Sequence, residues 1–308
     1  VDTVFMHVTP EYWPQVMQKG SYNIGYTTWE TDKLPSYWPR LLNLADHILV
    51  PSAFNQKVFV EGGVTKPITL VPHIFREPHS VPDAMRHAFL EHLEIPENSY
   101  VFYSINEWHA RKSPWKLLEL FLKAFSSRDN VILLLKTSSE GPKDETDKWS
   151  RPTDKMVEDW VLKFPDPPGV RIINDTVSQN GINAIHCIGD CFLSFTRGEG
   201  WGLGLFEAAG LGNPVLCTGW GGQTEFLAGI PGSLIDYTLV PVVCSEMPET
   251  HTRGHLWAQV NDAKAISAMR HVFENPRQSK QQALAYSQVL KHQYSVESIT
   301  RRILEVVR

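Results

Sequence analysis

No run of 18 apolar residues occurs anywhere in the chain, so its sequence marks no membrane-spanning helix. It has no basic block either. Its 29 Lys and Arg stand against 34 Asp and Glu, for a net charge of −5, and that balance leaves no electrostatic footprint for a nucleic acid partner. Cysteine is scarce. The four, at 187, 191, 217 and 244, form no Cys-x-x-Cys pair and have no histidine at metal spacing, which points to reduced thiols, with Cys191 and Cys217 as small buried hydrophobes. No internal repeat or low-complexity tract occurs, the residues from Val1 onward do not have the charged-then-apolar form of a secretory signal, and the expectation is a cytoplasmic enzyme.

At 308 residues, 42% hydrophobic and 20% charged, the chain is long enough for about two folded domains. Apolar runs at 3–8, 22–28, 46–51 and 68–72 read as buried strands, with helical patterns near 36–44 and 53–61. A second series of strands follows at 100–105, 130–137, 169–174, 190–196, 214–218 and 233–236, with helices near 113–127, 153–164, 203–211 and 222–228. Three more helical stretches, near 261–275, 277–292 and 295–307, close the chain. Such alternation predicts an α/β fold of parallel sheets with ligands at the carboxyl ends of the strands. The division expected is a small Rossmann-like unit at 1–95, a nucleotide-binding Rossmann-like unit at 96–290, and a final helix at 291–308 packing back on the first unit. A linker is expected at 76–98, and 138–152 and 238–255 read as irregular surface excursions.

The most informative stretch is 197–222, RGEGWGLGLFEAAGLGNPVLCTGWGG. It follows the apolar run 190–196 and reads as strand, glycine loop, helix. A helix N-terminus offers unpaired N–H groups and partial positive charge, and glycines at 198, 200 and 202 let a phosphate come close. Two carboxylates beside a diphosphate would repel it unless they bonded to sugar hydroxyls, so Glu199 and Glu207 suggest a sugar-bearing ligand. A loop and a helix carrying ordinary glutamates is the bland alternative.

This run resembles the E-x7-E signature of retaining glycosyltransferases with the GT-B fold, the "glycosyl transferases group 1" type of family 4. The resemblance implies two Rossmann-like domains facing an interdomain cleft. It also implies that Glu199 contacts the donor sugar and Glu207 the nucleotide ribose, with Gly200, Trp201, Gly202, Leu203 and Gly204 forming the donor loop. Asn106-Glu-Trp-His-Ala-Arg-Lys-Ser-Pro114 is similar to the Arg…Lys-Gly element of the same enzymes, which places Lys112 at the donor diphosphate. Two departures are visible: Ser113 replaces the glycine, and Asn106 stands where the arginine usually lies, leaving Arg111 to supply the charge. Cations at a helix entrance oppose the dipole, a conflict that a bound phosphate resolves.

Thr218-Gly-Trp-Gly-Gly-Gln-Thr-Glu-Phe226 looks like a further family segment, and it implies that Gly221 and Gly222 give backbone N–H groups to the donor. In Tyr26-Thr-Thr-Trp-Glu-Thr-Asp-Lys-Leu-Pro35, Trp29 and Glu30 are candidates for acceptor contact; core packing and capping are the competing readings. Ser52 reads as a helix cap and His73 as structural. About 90 residues precede the second unit, so the first domain is expected to be reduced or truncated. The reading is therefore transfer of a sugar from a nucleoside diphosphate donor, with retention, to a carbohydrate, lipid-linked or other acceptor, without metal or cofactor. The alternatives are a non-catalytic donor-binding or regulatory protein, and an epimerase or phosphorylase of related architecture.

Overall fold

A computed structural model describes residues 2–78, 81–141 and 151–307. The central part of the excursion expected at 138–152, residues 142–150, and residues 79–80 of the expected linker lie outside that description. The first unit contains strands β1 (Thr3–Met6), β2 (Tyr22–Tyr26), β3 (His47–Val50) and β4 (Ile68–Leu70), all parallel and in sequential order. Its helices are α1 (Trp13–Val16), α2 (Trp38–Leu42) and α3 (Ala53–Glu61). Ser52 caps α3, its hydroxyl accepting from Asn55 N.

The second unit is a six-stranded parallel sheet of β5 (Tyr100–Ile105), β6 (Val131–Lys136), β7 (Gly169–Ile173), β8 (Cys191–Ser194), β9 (Val215–Thr218) and β10 (Leu234–Ile235). Its order is β7-β6-β5-β8-β9-β10. The chain winds outward from β5 in one direction and then from β8 in the other, so the switch point lies between those two strands. In doubly wound sheets that is where ligands sit. Around the sheet run α5 (Pro114–Ala124), α6 (Thr153–Val161), α7 (Gln179–Ile188), α8 (Leu203–Gly210), α9 (Thr224–Leu227), α10 (Asp262–Glu274), α11 (Pro276–Gln293) and α12 (Val296–Val306).

Side chains alternate across the strands, and each face feeds a different core. On β6, Ile132 and Leu134 join one cluster while Val131, Leu133 and Leu135 join the other. On β3, Leu49 joins the first of these while Ile48 and Val50 pack among Trp13, Trp38 and Phe59. The core that holds Ile24, Leu49 and Val71 of the first sheet also holds Trp201, Phe206, Phe226 and Tyr294 of the second unit. Apolar packing is thus continuous across the two units. At the back of that core Phe75 N donates to Tyr294 O at 2.9 Å, and Lys291 pairs with Glu77 at 2.6 Å.

Three expectations change. The stretch read as a linker contains a ten-residue helix, α4 (Asp83–His92), whose Leu90 is buried. Helix α7 lies in a segment whose Gly181 and asparagines weaken the helical pattern; Ser178 caps it by accepting from Gly181 N. The supposedly irregular 238–255 carries part of an antiparallel pair, β11 (Tyr237–Pro241) with β12 (Leu256–Val260). Strand β11 is largely exposed and ends in proline, so it has no buried alternation to reveal it. Among the described residues no helix is long and apolar enough to cross a membrane.

Candidate functional site

The carboxyl ends of both sheets open onto one cavity of about 920 Å³. The two strands at the switch point supply its most charged loops: Arg111 and Lys112 follow β5, and Glu199 follows β8. Glu199 is buried, 6% exposed. Its Oε1 lies 2.5 Å from Lys112 Nζ and its Oε2 3.3 Å from Arg111 Nη1. Burial pushes the Glu199 carboxyl up, but the charges of Lys112 and Arg111 and the Lys112 hydrogen bond outweigh it and hold the group below the ordinary carboxylate value. Arg111 also faces Glu30 of the first unit at 3.6 Å. Burial pulls the guanidinium down, and Glu30 and Glu199 more than restore it.

The loop around Glu199 is held at three successive carbonyls. Gly198 O accepts from Arg111 Nη1 at 2.8 Å and from Thr196 Oγ1 at 3.2 Å. Glu199 O accepts from Gly222 N at 2.6 Å, and Gly200 O from Ser52 Oγ at 3.2 Å and Asn55 Nδ2 at 3.3 Å. A side chain at Gly198 would lie 2.0 Å from the Glu30 carbonyl, and one at Gly200 would lie 1.6 Å from Thr28 Oγ1. Only glycine permits that approach of the two units.

Past the loop, Gly202 adopts φ +89° and α8 begins. The first intrahelical bond is Phe206 N to Gly202 O, so the N–H groups of Leu203, Gly204 and Leu205 precede it, and all three residues line the cavity. Gly200, Trp201, Gly202 and Asn106 line it too. Asn106 Nδ2 donates to Ser104 Oγ at 2.7 Å. Ser113, at the position where the resemblance has glycine, takes φ +49° and is buried. The backbone there is the left-handed one that glycine adopts without cost.

Other expected residues lie elsewhere. Trp29 is 3% exposed in the first unit's core, against Trp38 and His251. Its Nε1 donates to Thr31 Oγ1 and Lys33 O. It presents no face to the cavity and packs as a core residue, the competing reading for it. Glu30 does line the cavity. Gly222 spends its N–H on Glu199 O, and a Cβ there would lie 1.8 Å from Gly200 O; it braces the 198–202 loop, and that amide is not free. Gly221, at φ +109°, turns the chain behind the same loop and does not line the cavity. Glu207 also lies off the cavity lining, its side chain 41% exposed and its Oε2 3.5 Å from His186 Nε2.

Several cavity residues carried no clear signal in the sequence. Lys136 closes β6, and Thr137 and Ser138 follow it. Burial lowers the Lys136 ammonium, with Asp175 opposing. A lysine closing the run VILLLK at a strand end was the available clue. His7 and His73 stand at strand ends of the first unit. Burial and His7 push the His73 imidazole down to about 4. Asn55, fully buried, joins the first-unit loop to the 198–202 loop: its Oδ1 accepts from Thr28 Oγ1 and Trp29 N, and its Nδ2 donates to Trp29 O and Gly200 O. Among the described residues no cluster of three or more His, Cys, Asp or Glu is arranged to hold a metal ion.

No protein-family model matches the chain, and no curated protein matches it. Solved structures do. A glycosyltransferase from Rickettsia africae superposes with a TM-score of 0.73 at 14% identity, over 99% of this chain and 76% of that one. Anabaena HepE in complex with UDP and glucose gives 0.71 at 12%, over 99% and 77%. Sucrose-phosphate synthase from Thermosynechococcus elongatus gives 0.69 at 14%, over 99% and 72%. The fold is of the GT-B type. Its two Rossmann-like sheets face the cleft that holds Glu199, Lys112 and Arg111.

Proposed function

We propose that the protein is a retaining glycosyltransferase that moves a sugar from a nucleoside diphosphate sugar to an acceptor hydroxyl. The observation that carries this reading is the conjunction, at the switch point, of the α8 N-terminus, two cations and the buried Glu199. The helix amides with Lys112 and Arg111 offset the diphosphate charge. Glu199 then takes the donor sugar's hydroxyls once phosphate competes for its two cations. Asn106 and the loop Gly200–Gly204 line the donor path, and Glu207 takes the ribose after turning from His186. HepE bound to UDP and glucose supports UDP as the first nucleotide to try.

In the reaction the anomeric carbon–oxygen bond breaks and its electron pair stays on the terminal phosphate oxygen. The acceptor oxygen bonds to the same face of that carbon, and its proton passes to the departing phosphate. Lys112, Arg111 and the helix N–H groups stabilise the charge that develops there; preorganised donors of this kind are worth about 10²–10³ in rate each. No protein nucleophile is assigned. Close docking of the units at Gly198 and Gly200 restricts water at the sugar.

The test is product analysis. Release of nucleoside diphosphate only when acceptor is added, with the donor's anomeric configuration kept by proton NMR, supports the proposal. An inverted product rejects retention, and donor binding without transfer or hydrolysis rejects catalysis in favour of a non-catalytic sugar-nucleotide binder.

A further inference from the structure

The cavity has two walls of different electrostatic character. The second unit contributes Arg111, Lys112, Lys136 and the α8 N-terminus. Opposite stand His7, Thr9, Tyr26, Thr28, Glu30 and His73 of the first unit. Among the described residues that wall includes no lysine and no arginine. Several of its polar groups are already used: Tyr26 Oη donates to Val71 O at 3.0 Å, and Thr28 Oγ1 donates to Asn55 Oδ1 at 2.8 Å. The imidazole of His73 is wedged between Tyr26 and Trp201, with ring centroids 5.8 and 5.6 Å away, and among the described residues it has no hydrogen-bond partner.

Burial and the neighbouring His7 hold His73 uncharged at neutral pH. A neutral imidazole presents one N–H donor and one acceptor nitrogen, which is the complement of a hydroxyl. Glu30 adds a carboxylate, an acceptor only. Arg111 reaches this wall at Glu30, 3.6 Å away, and is held there and by Glu199, so a phosphate or carboxylate on the incoming molecule would meet no lysine or arginine of this wall's own. It would instead face Glu30, and a desolvated like charge is costly to accommodate.

We propose that the acceptor is an uncharged polyhydroxyl compound, a sugar or polyol without phosphate or carboxylate, whose hydroxyls bond to His73 and Glu30. This rests on the glycosyltransferase reading and adds to it the chemical class of the second substrate. The cations of the opposite wall belong to the donor diphosphate, so they leave no pairing for a second anion.

The experiment uses UDP-glucose as donor probe and two matched acceptor pairs, glucose with glucose 6-phosphate and glycerol with glycerol 3-phosphate, with UDP release as the readout. The neutral member of a pair is expected to give at least a tenfold higher rate; a phosphorylated member that equals or exceeds its parent overturns the inference. A second measurement does not require turnover. Calorimetry of glucose 6-phosphate into the UDP-saturated protein should show at least tenfold tighter binding to His73→Arg than to the unaltered protein, and equal affinities overturn the inference. Failure of UDP, GDP, ADP and CDP alike to shift the melting temperature would instead refute the functional reading, so the two failures are distinguishable.

Discussion

Replacing Glu199 by glutamine separates two effects of one carboxylate. The side chain is 7% exposed and lies 2.5 Å from Lys112 and 3.3 Å from Arg111, so water screens little of the pairing. Removing one partner of a buried ion pair costs about 3–5 kcal/mol. Glutamine keeps the shape and one carbonyl acceptor, which puts Glu199→Gln near the lower figure, about 3 kcal/mol. For a protein of this size that corresponds to a melting temperature lower by about 5 °C. Binding of UDP should move the other way. With the carboxylate gone, Lys112 and Arg111 are released to the phosphates, and UDP should bind at least tenfold tighter, about 1.4 kcal/mol. Turnover of the sugar donor should fall by about 10²–10³, because the group that orients the sugar is lost. Differential scanning fluorimetry and calorimetry with UDP check the first two and nucleotide release checks the third. If UDP affinity falls together with stability, or if turnover is unchanged, Glu199 does not stand between the cations and the donor.

Lys112→Ala should lower turnover by about 10²–10³ in a steady-state assay, since it removes a preorganised cation from the leaving group. Ser113→Gly should raise stability by about 1 kcal/mol in denaturant titrations, because position 113 sits at φ +49° where a side chain is strained. Gly198→Ala should loosen the docking of the two units, as its Cβ would meet the Glu30 carbonyl, and hydrogen exchange should rise in both loops. Burial, with nearby positive groups, depresses His73 and His251 to about 4 each. The unfolded chain therefore takes up these protons first: stability is full above about pH 6.5 and is lost as pH falls toward 4, by up to about 3 kcal/mol per group. Urea midpoints at pH 7 and 4.5 should show that loss, and His251→Gln should reduce it.

The second unit's strands and the glycine loop before α8 were legible because their signals are local. Parallel strands buried on both faces appear as continuous apolar runs such as 131–136, and the glycines of 198–204 announce a turn and a helix start. Contacts between distant segments were not legible. Trp29 and Glu30 are neighbours in sequence, yet one packs against Trp38 in a core and the other reaches Arg111 in the cavity; no periodicity separates them in an irregular loop. Gly222 looked like a donor amide because nothing in its own segment records that Glu199 O already occupies it. Helix α4 hid within a proline-bounded segment whose residues are mostly exposed, leaving a weak apolar stripe. Asn55 is the sharpest case. A single buried amide on α3 makes bonds to both units, and only the packed structure shows why a polar residue belongs there.

The central claim is that Lys112, Arg111 and the α8 N-terminus form a nucleoside diphosphate site. Calorimetric titration of UDP, GDP, ADP and CDP into the unaltered protein and Lys112→Ala tests it most directly. At least one nucleotide should bind the unaltered protein and lose tenfold or more in affinity in the variant. Absence of binding by all four, or binding indifferent to Lys112, would contradict the account.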